Sequence, residues 1–280
     1  MTTNQPLVSI ITPAYNGAKY IEKLIESVRN QDYPNIEHIV IDDGSTDDGA
    51  TVAILKRYSH LRWWSRENRG QYPTMNEGLD AARGELVCFI SADDMMAPGA
   101  VRCAVEFMQT HNNYDGVYGA YSWIDENGER HRAQNIIDHA PLKLYRYYTF
   151  LSHSSFYMRK DYLLSHALRF DATLRYVGDY DWILRIFKNG AKIGYAKKNF
   201  SFLRSHREQT LNRNAIAMSE ERNLILHRHS ISPFVFSLVY STAYWYSALT
   251  RLTKAIHKKG PKGAFQLIHD WQQRKSSRRL

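Results

Sequence analysis

Glu85-Leu86-Val87-Cys88-Phe89-Ile90-Ser91-Ala92-Asp93-Asp94 is the stretch on which the reading of this chain turns. A short apolar run that follows Gly84 and closes in a turn suits a buried strand of a parallel sheet, and ligands of open α/β sheets sit beyond the carboxyl ends of such strands. The two acids therefore stand where ligands bind. Adjacent carboxylates repel one another, and a divalent cation or solvent relieves that repulsion. Taken alone, the pair reads first as the start of a turn and a cap for a helix from Pro98 onward, since Asp is a good turn and cap residue.

Working back toward the start, the same pattern recurs. Residues 7–12 form an apolar, β-branched run ending at Pro13, and Pro13-Ala14-Tyr15-Asn16-Gly17 is a tight loop. Tyr20, Ile21, Leu24, Ile25 and Val28 then mark one helical face up to Gln31. Residues 36–41 are a second strand that stops at Asp42-Asp43-Gly44-Ser45, with Asp47 and Asp48 at the start of a helix reaching Arg57. A shorter strand at 61–64, a turn at Asn68-Arg69-Gly70 and a helix at 73–82 complete the run. Alternation of this kind implies right-handed crossovers and a parallel sheet covered on both faces. It lacks both G-x-G-x-x-G after the first strand and G-x-x-x-x-G-K-S/T anywhere. A diphosphate bound here would need something other than a glycine cradle, and a cation bridging carboxylates and phosphate oxygens is the substitute.

Beyond Asp94 the pattern loosens. A helix is expected from Pro98 to about His111 and an aromatic strand at 117–123, with Asn127-Gly128 as a hairpin signal. Ser152-His153-Ser154-Ser155-Phe156-Tyr157-Met158 alternates as a strand lining a cleft does. Gly178-Asp179-Tyr180-Asp181 opens a helix that Gly190 ends, so Asp179 by itself reads first as a helix cap. A short strand at 200–203 precedes a loop carrying His206, and a lone loop histidine is ordinarily just solvated.

At 280 residues and 44% hydrophobic content the chain can bury a full core. A formal charge of +9 calls for anionic partners, among which charge alone does not choose. Cys88 and Cys103 fall at apolar positions and read as small buried hydrophobes in a reducing cytosol. Residues 1–6 carry neither a basic segment nor an apolar signal core, so secretion is not expected.

Together these residues resemble the family-2 glycosyltransferases, inverting enzymes of the GT-A fold that use nucleotide-activated sugars. The likeness runs from residue 7 to about 210 through Val8-Ser9-Ile10-Ile11-Thr12-Pro13-Ala14-Tyr15-Asn16 and Ile39-Val40-Ile41-Asp42-Asp43-Gly44-Ser45-Thr46-Asp47. It continues in Asn68-Arg69-Gly70, Asn76-Glu77-Gly78, Ala82-Arg83-Gly84-Glu85, Asp93-Asp94, Gly178-Asp179 with Arg185, and His206. The resemblance implies that Pro13, Ala14 and Tyr15 line the base and ribose pocket, that Asp43 reads the base, and that Asn68 joins the nucleotide-sugar site. It places Asp93 on the ribose or donor sugar, Asp94 and His206 on a divalent metal, Mn or Mg, and Asp179 as catalytic base. The chain departs from the family in two places: the usual D-x-D is Ser91-Ala92-Asp93-Asp94, and the usual Glu-Asp pair is Gly178-Asp179.

The implied architecture is an α/β GT-A domain over 1–215, its nucleotide-binding half about 1–97 and its acceptor half about 98–215. A helical, aromatic and basic region follows at 216–280. Residues 231–250 carry no charge but six aromatics, and Arg251, Lys254, Lys258, Lys259 and Lys262 follow. That combination suits an anionic membrane surface, and equally a helix packed on the domain or on a second subunit. The expected function is transfer of a sugar from a nucleotide-diphosphate donor to a glycan or lipid-linked acceptor in envelope polysaccharide synthesis, with no nucleic-acid partner. The expected location is the cytoplasm or the inner face of its membrane. The rival is a non-catalytic glycan-binding or scaffold protein on the same fold.

Overall fold

The computed structural model describes residues 5–133, 145–147, 151–206, 214–239 and 241–242. Strand β1 (Val8–Ala14) is buried along its whole length, as a strand covered on both faces must be. It pairs in parallel with β2 (Ile36–Asp42) on one side and with β4 (Leu86–Phe89) on the other, while β3 (Arg62–Ser65) extends the sheet beyond β2. Helices α1 (Ile21–Arg29), α2 (Ala50–Leu55) and α3 (Gln71–Ala81) make the crossovers. The strand order is therefore β3-β2-β1-β4. The order of winding reverses between the parallel strands β1 and β4, which opens a crevice beyond their carboxyl ends.

The second half joins this sheet mostly in antiparallel fashion. β8 (Phe156–Arg159) pairs with β4, and β6 (Gly116–Ile124) pairs with β8. β9 (Ile193–Arg204) runs parallel to β6, and the two-residue β5 (Met95–Met96) runs antiparallel to β9. The expected hairpin at Asn127-Gly128 forms between β6 and β7 (Arg130–Ala133), with Gly128 at φ +95°. The strand expected at 200–203 is the end of the twelve-residue β9. The strand expected at 152–158 begins only at Phe156, because His153–Ser155 form a 3-10 turn that the Ser152 hydroxyl caps by accepting the Ser154 N–H at 3.2 Å.

Side chains alternate along β4: Val87 and Phe89 enter one core, Leu86, Cys88 and Ile90 the other. Helices α1 and α4 (Ala100–Thr110) cover the second face through Leu24, Val28, Val101 and Val105. The first face is covered by α3, by α6 (Gly178–Lys188), which follows the short α5 (Lys160–Ser165), and by α7 (Ala215–Arg228). There Trp182 stacks on Phe170 at 4.5 Å and donates its indole N–H to the Leu168 carbonyl at 2.9 Å.

Residue 215 does not mark an edge of this core. Ile225, Leu226 and Ile231 are buried against it, and α7 is tied to α6 through Asp181, which is fully buried. Its carboxylate accepts from Arg185 Nε at 2.8 Å, His229 Nε2 at 2.9 Å and Arg228 Nη1 at 3.3 Å. From 233 to 239 the chain is helical, with Phe236 inward and Phe234 and Leu238 outward at 77% and 54% exposure. The basic run from Arg251 onward and most of the uncharged stretch before it lie outside the described residues. Among the described residues no helix is long and apolar enough to cross a membrane.

Although burial disfavours its charge, the bonds from His229 and Arg185 hold the Asp181 carboxyl down at about 2. A depressed carboxyl contributes stability that is complete above its unfolded value near 4 and is lost as pH falls toward 2. Asp181→Asn should cost about 3 kcal/mol or more at pH 7. Urea unfolding at pH 7, 4 and 3 should show that difference shrinking as the pH drops.

Candidate functional site

The crevice beyond β1 and β4 collects loops that are bonded to one another. At the end of β1, Pro13 and Ala14 are buried, and Tyr15 just beyond it stands 51% exposed at the rim. Asn16 ties this loop to the one after β2: its N–H donates to Ser45 Oγ at 2.9 Å and its side-chain oxygen accepts from Thr46 N–H at 2.7 Å. Ser45 donates in turn to Asp42 Oδ1 at 2.5 Å, and Asp42 Oδ2 accepts from Ser65. Asp43, expected to read a base, has its carboxylate turned to the next loop. It accepts the N–H of Arg69 at 2.8 Å and of Gly70 at 2.9 Å and pairs with the Arg66 guanidinium. Those bonds shape residues 66–70 and leave Asn68 exposed beside Asp43. Gly44, at φ +70°, meets this loop so closely that an added Cβ would lie 2.7 Å from Asn68 N.

The two acids after β4 face opposite ways. Asp94, expected on the metal, is 5% exposed, with Oδ1 accepting the Arg204 N–H and Oδ2 the Ser154 hydroxyl, both at 3.0 Å. Burial, with the charge of Asp93 beside it, pushes its carboxyl well above the usual range. Asp93, expected on ribose or donor sugar, lies beside His206, with Oδ2 2.9 Å from Nε2. Of the two acids, only Asp93 turns its carboxylate out of the core toward the imidazole, while that of Asp94 is taken up inside it. Arg204, fully buried, fixes this turn by donating from Nε to the Asp93 carbonyl at 2.8 Å and from Nη1 to the Asp125 and Glu126 carbonyls. Tyr20 lies between its guanidinium, 4.7 Å from the ring centre, and the His206 ring at 5.0 Å. Ala92 packs against the cluster that holds Ala14 and Ile21, on either side of the first loop.

Asp179 enters from α6. It is not the helix cap: Val177 holds that position, and Asp179 Oδ1 accepts only the N–H of the next residue, Tyr180, at 2.9 Å. Its Oδ2 lies 3.3 Å from His153 Nδ1, and His153 Nε2 lies 3.2 Å from Ser91 Oγ. The departure from Glu-Asp at Gly178 has a steric cause. The Tyr72 ring packs so closely that a Cβ on Gly178 would lie 2.7 Å from it. Burial and the Asp179 charge push the Tyr72 hydroxyl well above its ordinary value, so it remains neutral beside that acid. Behind the site, Glu221 of α7 accepts the N–H groups of Arg175, Tyr176 and Val177 at 2.7, 2.8 and 2.7 Å and so grips the loop that leads into Asp179. His153, Arg204 and Glu221 were not singled out from sequence. Only His153 carried a signal there, as a polar residue in the stretch read as lining a cleft.

No group of three or more His, Cys, Asp or Glu among the described residues is arranged to hold an ion by itself. Asp93 and His206 nevertheless suit one, since Mg is usually held by one or two carboxylates together with substrate phosphates, and an imidazole beside the carboxylate suits Mn.

Comparison with known proteins identifies the family and the fold. The sequence profile of Glycosyl transferase family 2 matches residues 9–175. An uncharacterized glycosyltransferase of Rickettsia bellii is 33% identical over 216 residues, covering 75% of this chain and 31% of that protein. TuaG of Bacillus subtilis, named as a teichuronic acid biosynthesis glycosyltransferase, is 38% identical over 133 residues, covering 46% of this chain and 52% of its own. The chain thus spans about a third and about a half of these two curated relatives. Among solved structures, S. aureus TarS 1–349 in complex with UDP-GlcNAc superposes with a TM-score of 0.66 at 19% identity, over 94% of this chain and 80% of that one. TarS 1–349 in complex with UDP gives 0.61 at 24%, over 72% and 61%. These likenesses show the GT-A fold.

The fit of Tyr72 against Gly178 can be tested by a double-mutant cycle. Gly178→Ala should destabilise by about 1–3 kcal/mol through overpacking. In a Tyr72→Ala background, where the ring is gone, most of that cost should vanish, giving a coupling of about 1 kcal/mol or more in denaturant unfolding.

Proposed function

Because the chain belongs to glycosyl transferase family 2, we propose that it transfers a sugar from a nucleotide-diphosphate donor to a hydroxyl of a glycan or lipid-linked acceptor, with inversion, in cell-envelope polysaccharide synthesis. The observation that carries this reading is the set of contacts at the crevice. Asp42 and Asn16 are bonded through Ser45, Ala92, next to the Asp93–His206 pair, packs against the cluster that holds Ala14 and Ile21, and Ser91 leads through His153 to Asp179. The TuaG name and the UDP and UDP-GlcNAc complexes of TarS favour a uridine nucleotide sugar and a wall or capsule polymer. Exposed Phe234 and Leu238, ahead of the basic run from Arg251, support contact with an anionic membrane surface.

In this reading Tyr15 lies against the nucleotide at the rim of the crevice, and Asp93 with His206 holds the diphosphate side through Mn or Mg. When bound, that cation supplies Lewis-acid stabilisation of the charge gathering on the leaving diphosphate. Asp179 takes the proton of the acceptor hydroxyl while the acceptor oxygen bonds to the anomeric carbon and the bond to the diphosphate oxygen breaks. General-base assistance of this kind is worth about 100- to 10,000-fold. Attack opposite the leaving group inverts the centre, giving a β product from an α-linked donor.

Isothermal titration with UDP, with and without Mn, tests the metal assignment. Asp93→Asn should lose most of the Mn-dependent affinity for UDP. Asp94→Asn should retain it and fold normally, because an amide in that place can accept the Arg204 N–H and donate to Ser154. The opposite pattern returns the metal to Asp94. Asp179→Asn should still bind UDP yet lose turnover by about 100-fold or more.

A further inference from the structure

His153 is held more firmly than a residue between two loops needs to be. The 3-10 turn that carries it is fastened on both sides: the Ser154 hydroxyl donates to Asp94 Oδ2 at 3.0 Å, and Ser155 Oγ shares a hydrogen bond with Ser201 Oγ at 2.5 Å. Inside the turn the Ser155 N–H bonds to the Ser152 carbonyl at 2.9 Å. The imidazole, its side chain 12% exposed, is thereby set between Asp179 and Ser91, which lie 88 positions apart in the sequence.

The chemistry of the two contacts fixes the ring. An ionised carboxylate only accepts, so the proton between His153 and Asp179 belongs to Nδ1. Nε2 of the neutral ring is then the acceptor, and the Ser91 hydroxyl is its donor. Both distances, 3.3 and 3.2 Å, are at the long end for hydrogen bonds, as such contacts often are before substrate closes the site.

We propose that His153 is a positioning residue for sugar transfer: its Nδ1–H holds Oδ2 of Asp179 and aims the free lone pair of Oδ1 at the acceptor hydroxyl. Its Nε2, through Ser91, registers that carboxylate against the loop that carries Asp93. Base and diphosphate anchor are thereby placed relative to one another by a single connected line of side chains, Asp179–His153–Ser91, although they come from α6 and the β4 loop. This inference rests on the reading of Asp179 as the base. The logic is that of any oriented base, whose second hydrogen bond fixes the geometry in which the first acts. Misplacement of a catalytic group by about 1 Å can cost about 100-fold, so the ring matters to rate far more than to donor binding.

Two measurements on the full chain test this. In protein labelled with ¹⁵N-histidine, long-range ¹⁵N–¹H correlation reads each ring's tautomer, and the His153 signal is the one absent from His153→Asn. It should be the Nδ1–H tautomer, and it should lose that preference in Asp179→Ala. An Nε2–H ring in the unmutated protein overturns the proposal. In kinetics of UDP release from UDP-GlcNAc with Mn, His153→Ala should lower kcat by about 10- to 100-fold with the donor KM within about threefold. His153→Asn, whose amide nitrogen sits near the Nδ1 position, should recover most of that loss. A His153→Ala enzyme with normal kcat, or a loss confined to KM, also overturns it. If instead Asp179→Asn turns over normally while His153 keeps its Nδ1–H tautomer, the base assignment is what fails, and the hydrogen-bonded line stands as architecture alone.

Discussion

The carboxylate of Asp94 is buried at the tip of β4, and such a group is tolerable only when its oxygens are satisfied. The Arg204 backbone at the end of β9 and the Ser154 hydroxyl in the turn before β8 satisfy them. Three segments that meet nowhere else in sequence are thus fastened at one point. From it follow the outward direction of Asp93, the place of His206 two residues after Arg204, and the seat of His153 one residue before Ser154. The buried Arg204 guanidinium adds bonds to the carbonyls of Asp93, Asp125 and Glu126, so the β6–β7 hairpin is drawn to the same point.

A second fastening acts from behind. Glu221 accepts three successive backbone N–H groups just before α6, and Asp181 within α6 is gripped by Arg228 and His229 at the end of α7. A carboxylate holding several N–H groups is a strong, charge-assisted clasp. Helix α7 therefore does for Asp179 what Asp94 does for Asp93: it fixes the backbone from which the carboxylate projects. In this chain the region beyond residue 215 begins as part of the framework behind the crevice, and removal of α7 would loosen the loop at 175–177.

The substitution of Gly178 for the family's glutamate is of one piece with this. The Tyr72 ring occupies the space that a side chain at 178 would need, and a neutral, buried phenol there leaves Asp179 as the one acid at the start of α6 that faces the crevice, since Asp181 points into the core. At this end of α6 the crevice thus meets a single carboxylate rather than an acidic pair, with His153 Nδ1 3.3 Å from it.

The sequence by itself determined the strands of the first half and the acids at their tips, because apolar runs, helical periodicity and turn residues are local signals that the packed sheet reinforces. Residues 8–14, 36–42 and 86–89 are strands close to where their patterns place them. It also singled out Asp93, Asp94, Asp179 and His206, through the order of their motifs, and the structure gathers these four around one crevice. Tertiary structure alone decided which of two adjacent acids faces outward, since that depends on an N–H donor 110 residues away. It decided as well that Ser152 to Ser155 make a turn, that His153 meets Asp179, and that α7 belongs to the core. Each of these rests on hydrogen bonds between groups distant in the chain, and neither alternation nor composition carries a trace of a partner that only the folded sheet brings near.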